Sequence, residues 1–134
     1  MCPNINFTYE SQLFAPPAPA IFIELRSPDS PISDKPEKSL ALVDTGADCT
    51  VVPWSIINRL NLQLVDLVKV TGYDEKSSQW LPVYSIHLTI PGLIPVLTRV
   101  IPVESDACTI IGRDIINEWL LKLDGPKRIG NIQT

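Results

Sequence analysis

Short aliphatic runs broken by turn-forming residues dominate the chain. They read IFIEL at 21–25, LALV at 40–43, CTVV at 49–52, LVKV at 67–70, LPVYSIHLTI at 81–90, VLTRVIPV at 96–103 and CTIIG at 108–112. Runs this short, bounded by Pro, Gly, Asp and Ser, predict strands. Between them, RSPDSPISDKPEKS at 26–39 reads as a polar, Pro-rich loop, and TGYDEKSSQ at 71–79 as a polar hairpin tip. Two segments carry helical signals. Pro53 suits the first position of a short helix over WSIINRL, 54–60. In RDIINEWLLKL, 113–123, Ile115, Ile116, Trp119, Leu120 and Leu123 fall at i, i+1, i+4, i+5 and i+8, one apolar helical face. DGP at 124–126 is read as its stop. The pattern predicts a mainly β chain, folded as a compact barrel-like or sandwich sheet with one late C-terminal helix.

A length of 134 residues suits one domain. The division expected is a tail with a Pro-rich connector at 1–20, ending in APPAPA, and a domain at 21–134. Apolar residues at 45% against 19% charged exclude a disordered chain. A net charge of −4 without a Lys/Arg cluster argues against nucleic acid or an anionic membrane as partner. Cys2, Cys49 and Cys108 are odd in number and form no C-x-x-C, and His87 is the single histidine, so no metal site and no cofactor are expected. Cys49 and Cys108 lie in apolar runs and read as small core residues of a reducing compartment. No basic leader precedes a long apolar stretch, and no run has the length of a membrane span. The expectation is a soluble cytoplasmic protein.

The chemistry concentrates in LALVDTGADCTVV, 40–52, where an acid interrupts an aliphatic run. A carboxylate among apolar neighbours is costly unless it is hydrogen-bonded, paired or used. Gly46 permits a tight turn after the strand, so Asp44 is presented at the strand's mouth. One carboxylate is a weak base near neutrality. Two held together share one proton, so that one member takes a proton from water while the other polarises a carbonyl. The chain contains one Asp-Thr-Gly, so such a pair requires two chains on a two-fold axis, each contributing Asp44. Alone, Asp-Thr-Gly after a strand is most often a structural turn. The second element, TIIGRD at 109–114, changes that: an aliphatic pair again runs into a Gly and then a helix.

ALVDTGADCTVVP and TIIGRDIINEWLLKLDGP, in this order with a hairpin between, resemble the retropepsin-like aspartic proteases, the half-size relatives of pepsin. The resemblance covers about 41–126. Its LDGP ending looks closer to bacterial and archaeal members than to viral ones. It implies a single-domain half-barrel with a flap hairpin, acting as a homodimeric endopeptidase on polypeptide substrates. Asp44 would be the catalytic carboxylate. Thr45 would interlock the two active-site loops across the dimer axis, and Gly46 would offer its carbonyl to the substrate backbone. Asp48 and Arg113 match the family's charged pair beside the active site, and Asp48 also meets the substrate. Asp114 has a simpler account, as an acid favoured by a helix dipole.

Ala47 replaces the hydroxyl residue that pepsin-like members often carry to donate to the catalytic carboxylate. Its loss implies a less acidic working range than pepsin's. The flap region, VTGYDEKSSQWLPVY, departs from the Gly-rich, apolar viral tip: Gly72 is its only glycine, and 74–78 are polar. Gly72 and Tyr73 are the expected substrate-facing flap residues, and either Tyr73 or Trp80 covers the cleft, unless Trp80 packs in the sheet and Tyr73 is solvated. NINFTY and RIGNIQT resemble edge strands, and in viral relatives the termini interleave to build the dimer. The N-terminal addition is equally readable as a regulatory segment in the cleft. The polar flap supports a second reading, a catalytically weak or latent peptide-binding module on the same fold.

Overall fold

The computed structural model describes residues 3–31, 34–71 and 77–134. In chain order the elements are β1 (Asn4–Thr8), β2 (Ala20–Arg26), β3 (Glu37–Val43), β4 (Val51–Pro53), α1 (Trp54–Arg59), β5 (Leu64–Thr71), β6 (Ser78–Thr89), β7 (Val96–Val103), β8 (Thr109–Ile111), α2 (Arg113–Ile116), β9 (Leu120–Asp124) and β10 (Ile129–Gln133). The fold is mainly β, as the run pattern predicts. Seven strands are ordered β2-β3-β8-β4-β7-β6-β5, and β2 also pairs with β6. That extra pairing closes β2, β3, β8, β4, β7 and β6 into a ring and leaves β5 as an edge. Among the described residues, no helix is long and apolar enough to cross a membrane.

Alternation along the strands sets the core. In β3, Ser39, Ala41 and Val43 point inward while Leu40 and Leu42 stay half-buried. Ile23, Leu25, Val52, Ile86, Leu88, Val100 and Ile111 complete a core that is nearly inaccessible to water. Each such side chain contributes about 1.5–3 kcal/mol when fully buried. Two hydroxyls sit inside this core, and Ser39 Oγ and Thr109 Oγ1 satisfy one another at 2.7 Å.

One pairing positions the site. β3 and β8 are parallel, with Ala41, Leu42 and Val43 opposite Thr109, Ile110 and Ile111. Parallel neighbours end at the same edge of the sheet. The residues that follow them, Asp44 and Gly112, therefore emerge side by side, although 68 positions separate them in sequence.

One sequence expectation needs correction. The late helix predicted over 113–123 is a single turn, Arg113–Ile116, and Leu120–Asp124 is a strand paired with β10. Ile115 and Ile116 are buried as the helical face requires, but Leu120 is 68% exposed. The segment's Leu-x-Leu alternation serves strand pairing as well as helix, and the partner strand β10 decides between them. DGP is the bend of that hairpin, with Lys127 N–H donating to Asp124 Oδ1 at 3.0 Å. The segment 1–20, set apart as tail and connector, contains the edge strand expected at NINFTY. Asn4–Thr8 of that segment lies inside the fold, paired along its whole length with β10. Phe7 lies against Gly130, where an added Cβ would meet the Phe7 ring at 2.2–2.7 Å, so the glycine leaves room for the aromatic side chain.

β5 and β6 form the expected hairpin, in register from Leu67–Pro82 to Thr71–Ser78. Its tip, with Gly72 and Tyr73, lies outside the described residues. Trp80 is opposite Lys69 and 65% exposed, so it does not pack into the sheet. Trp54 of α1 meets Tyr84 of β6 edge to face, with ring centroids 6.1 Å apart.

Candidate active site

Asp44 follows directly on β3, and its backbone N–H donates to the Ile111 carbonyl of β8 at 3.0 Å. The chain then turns: Ala47 N–H donates to the Asp44 carbonyl at 3.1 Å, and Gly46 N–H donates to Asp44 Oδ1 at 2.9 Å. The carboxylate is thus aimed by its own loop. Asp44 is half-buried, while Thr45, Gly46 and Asp48 are exposed. Neither Asp44 Oδ2 nor the Thr45 hydroxyl has a partner among the described residues.

α2 grips this loop from the other side. Arg113 N–H donates to the Ala47 carbonyl at 2.9 Å, and Arg113 Nη1 donates to the Thr45 carbonyl at 2.9 Å. Arg113 Nη2 pairs with Asp48 Oδ1. A planar guanidinium suits this work because one side chain reaches a carbonyl and a carboxylate together. Asp48 is 88% exposed, so the pair's value lies in geometry more than in stability. The structure therefore assembles Asp44, Thr45, Gly46, Ala47, Asp48 and Arg113 on one loop-and-helix unit.

Three residues that sequence reasoning did not assign to the site hold this unit together. Thr50 is fully buried at the end of the loop. Its hydroxyl donates to Asp114 Oδ1 at 2.8 Å and accepts from Gly112 N–H at 3.2 Å. Its own N–H donates to Asp114 Oδ2 at 3.1 Å. Asp114 is therefore a tie between two loops, and the helix-dipole account gives way, because α2 has a single turn and the carboxylate has specific donors. Gly112 is the third: an added Cβ would lie 2.6 Å from the Cys49 carbonyl carbon and oxygen. The only sequence signals were a hydroxyl residue after the loop and an acid in the first helical turn. Neither reveals its partner across 64 positions.

Thr50→Val retains the shape and removes both hydroxyl bonds, leaving the buried Gly112 N–H without a partner. It is expected to cost about 2 kcal/mol, read from the urea midpoint, with Thr50→Ser close to wild type.

Burial first, then the carboxylates of Asp114 and Asp48, push the Cys49 thiol above its ordinary range, so this half-buried cysteine stays protonated near neutrality. Among the described residues, no group of three His, Cys, Asp or Glu side chains is placed to hold a metal ion.

The model of the retroviral aspartyl protease family matches residues 19–124. The chain belongs to this family. Its fold is similar to that of a retropepsin-like aspartic protease from Rickettsia conorii, with a TM-score of 0.64 and 13% identity over 99% of this chain and 92% of the other. It is also similar to the EIAV protease in complex with the inhibitor HBY-793, with a TM-score of 0.54 and 22% identity over 84% of this chain and 93% of that one. No curated protein sequence matches the chain. The matched span contains the chain's one Asp-Thr-Gly, at 44–46.

Proposed function

We propose that the chain is an aspartic endopeptidase active as a homodimer, in which two Asp44 carboxylates share one proton and activate a water for peptide hydrolysis. The observation that carries this reading is the Asp44 loop. One carboxylate oxygen is held by Gly46 N–H, the other is unpartnered among the described residues, and the loop is braced by Arg113. A carboxylate positioned at such cost and left half-exposed is half of a device. Paired carboxylates of this kind are best known from aspartic proteases themselves.

Each residue then has a role. In a dimer, one Asp44 stays ionised and takes a proton from water, while the protonated Asp44 donates to the scissile carbonyl oxygen. The attack forms a tetrahedral intermediate, and the proton gained from water passes to the leaving amine. Thr45, whose hydroxyl has no partner among the described residues, is placed to bond across the axis. Gly46, Ala47 and Asp48 border the peptide, with Arg113 holding Asp48 in place. Gly72 and Tyr73 would approach from the flap side. The exposed Thr45, Gly46 and Asp48 support the dimer: a single chain leaves this surface open, and a second chain would turn it into a cleft.

Digestion of casein or a peptide library by wild type and Asp44→Asn tests the reading. A folded dimer that cleaves nothing between about pH 3 and 8 refutes the protease and favours peptide binding without cleavage. Ala47 makes a further expectation specific. Without a hydroxyl at that position to favour the ionised carboxylate, the pH–rate profile should peak in the mildly acidic to neutral range. A maximum below about pH 3 would overturn this.

A further inference from the structure

The three-stranded sheet is ordered β1-β10-β9, so β10 is paired on both sides within its own chain and the free edges are β1 and β9. β9 follows α2, the helix that grips the Asp44 loop, after only three residues. Its sequence is LLKLD, with both signs of charge on one side. β1, with sequence NINFT, has no charge to set a register. Side chains alternate along a strand, so Leu123 shares a side with Leu121, which packs on the core. Leu123 nevertheless stays 40% exposed. Lys122 makes no ion pair among the described residues. Asp124 uses one oxygen, Oδ1, to accept Lys127 N–H and has the other available.

We propose that β9 is the dimer-forming edge: it pairs antiparallel with β9 of a second copy, with Leu123 on the two-fold axis. The inference rests on the reading that the active site needs Asp44 from a second chain. An antiparallel pair on a two-fold axis must place one residue opposite its own copy. With Lys122 or Asp124 on the axis, like charges face each other. With Leu120 or Leu121 there, neither charge meets its opposite. Leu123 on the axis sets Lys122 of each chain opposite Asp124 of the other and packs the exposed Leu123 against its own copy. The result is a continuous six-stranded sheet, β1-β10-β9-β9-β10-β1, that buries two open edges and links the two α2–Asp44 units. Because β10 is paired on both sides, it takes no strand from the second copy.

Sedimentation equilibrium on the full chain tests the register. Lys122→Asp and Asp124→Lys each set like charges opposite one another twice. Each is expected to weaken self-association by about tenfold or more. An equimolar mixture of the two variants brings opposite charges together at both positions and should restore dimers of nearly wild-type affinity. Lys122 is exposed and has no side-chain hydrogen bond or ion pair among the described residues, so Lys122→Asp tests the pairing even where Asp124→Lys loosens its turn. Wild-type association by either variant alone, a mixture no tighter than its components, or a wild type monomeric at every concentration overturns the proposal. Peptide cleavage read on the same samples separates the two ideas. If the charge variants behave as described while Asp44→Asn cleaves like wild type, β9 pairing stands and the catalytic reading falls. If Asp44→Asn is inactive while both charge variants dimerise normally, the catalytic reading stands and β9 pairing falls.

Discussion

Asp44→Asn is expected to lower kcat for peptide cleavage by about 10³-fold, with little change in KM. The amide oxygen retains the bond from Gly46 N–H, so the loop keeps its shape. An amide cannot take a proton from water, and the pair loses its shared proton. The dimer gives the experiment a second readout. On the proposed mechanism each site needs both carboxylates, so a chain with one intact Asp44 is expected to be inert beside a substituted partner. In an equal mixture at constant total protein, about one quarter of the dimers have both carboxylates, and activity should fall to about a quarter rather than a half. A linear response to the wild-type fraction would show that one Asp44 suffices. Loss of cleavage together with loss of dimer would show instead that the substitution acts on assembly, and sedimentation of the variant distinguishes the two.

Gly112→Ala should cost about 3 kcal/mol or more in urea unfolding, and activity should fall with it. The glycine is needed for space. Its backbone is extended, with φ of −96°, a conformation any residue adopts. The obstacle is the Cys49 backbone: an added methyl would lie 2.6 Å from both the carbonyl carbon and oxygen and 2.9 Å from Cα. A side chain in that place could rotate away, but backbone cannot move without carrying the loop with it. That loop runs from Asp44 to Thr50, and Gly112 N–H is bonded to Thr50 Oγ1. The substitution therefore pushes the catalytic loop off α2. Gly125→Ala is the control, because an added Cβ there meets nothing within 4 Å. It should change stability by no more than about 0.5 kcal/mol. Equal effects at the two glycines would refute the packing argument.

Legibility from sequence followed the range of the interaction. β7 spans Val96–Val103, the same bounds as its aliphatic run, because a run flanked by breakers carries its own limits. The Asp-Thr-Gly and the TIIGRD element were visible because the residues of each are contiguous. Arg113 beside Asp48 was read from the family's pattern, and the two side chains do meet. The tie of Thr50 to Asp114 was not legible: each residue has a complete local explanation, and the hydrogen bonds exist only once β3 and β8 lie parallel. The late helix failed for a related reason. Its leucines fit two periodicities, and the competitor was β10, a strand further along the chain. Asn4–Thr8 was legible as an edge strand, but its seat at Gly130 was not, because that residue is at the opposite end of the sequence.

Local chemistry in the chain determined the strand-rich class and the turn that displays Asp44, since these depend on neighbouring residues alone. Tertiary structure decided which loops are tied together, how short the late helix is, and which edge of the terminal sheet stays open. The loop ties and the β1–β10 pairing join residues more than sixty positions apart, and the late helix gives way to a hairpin with β10, a strand that follows it. Such contacts are selected by competition among whole strands for partners, and no single segment records who its partner will be.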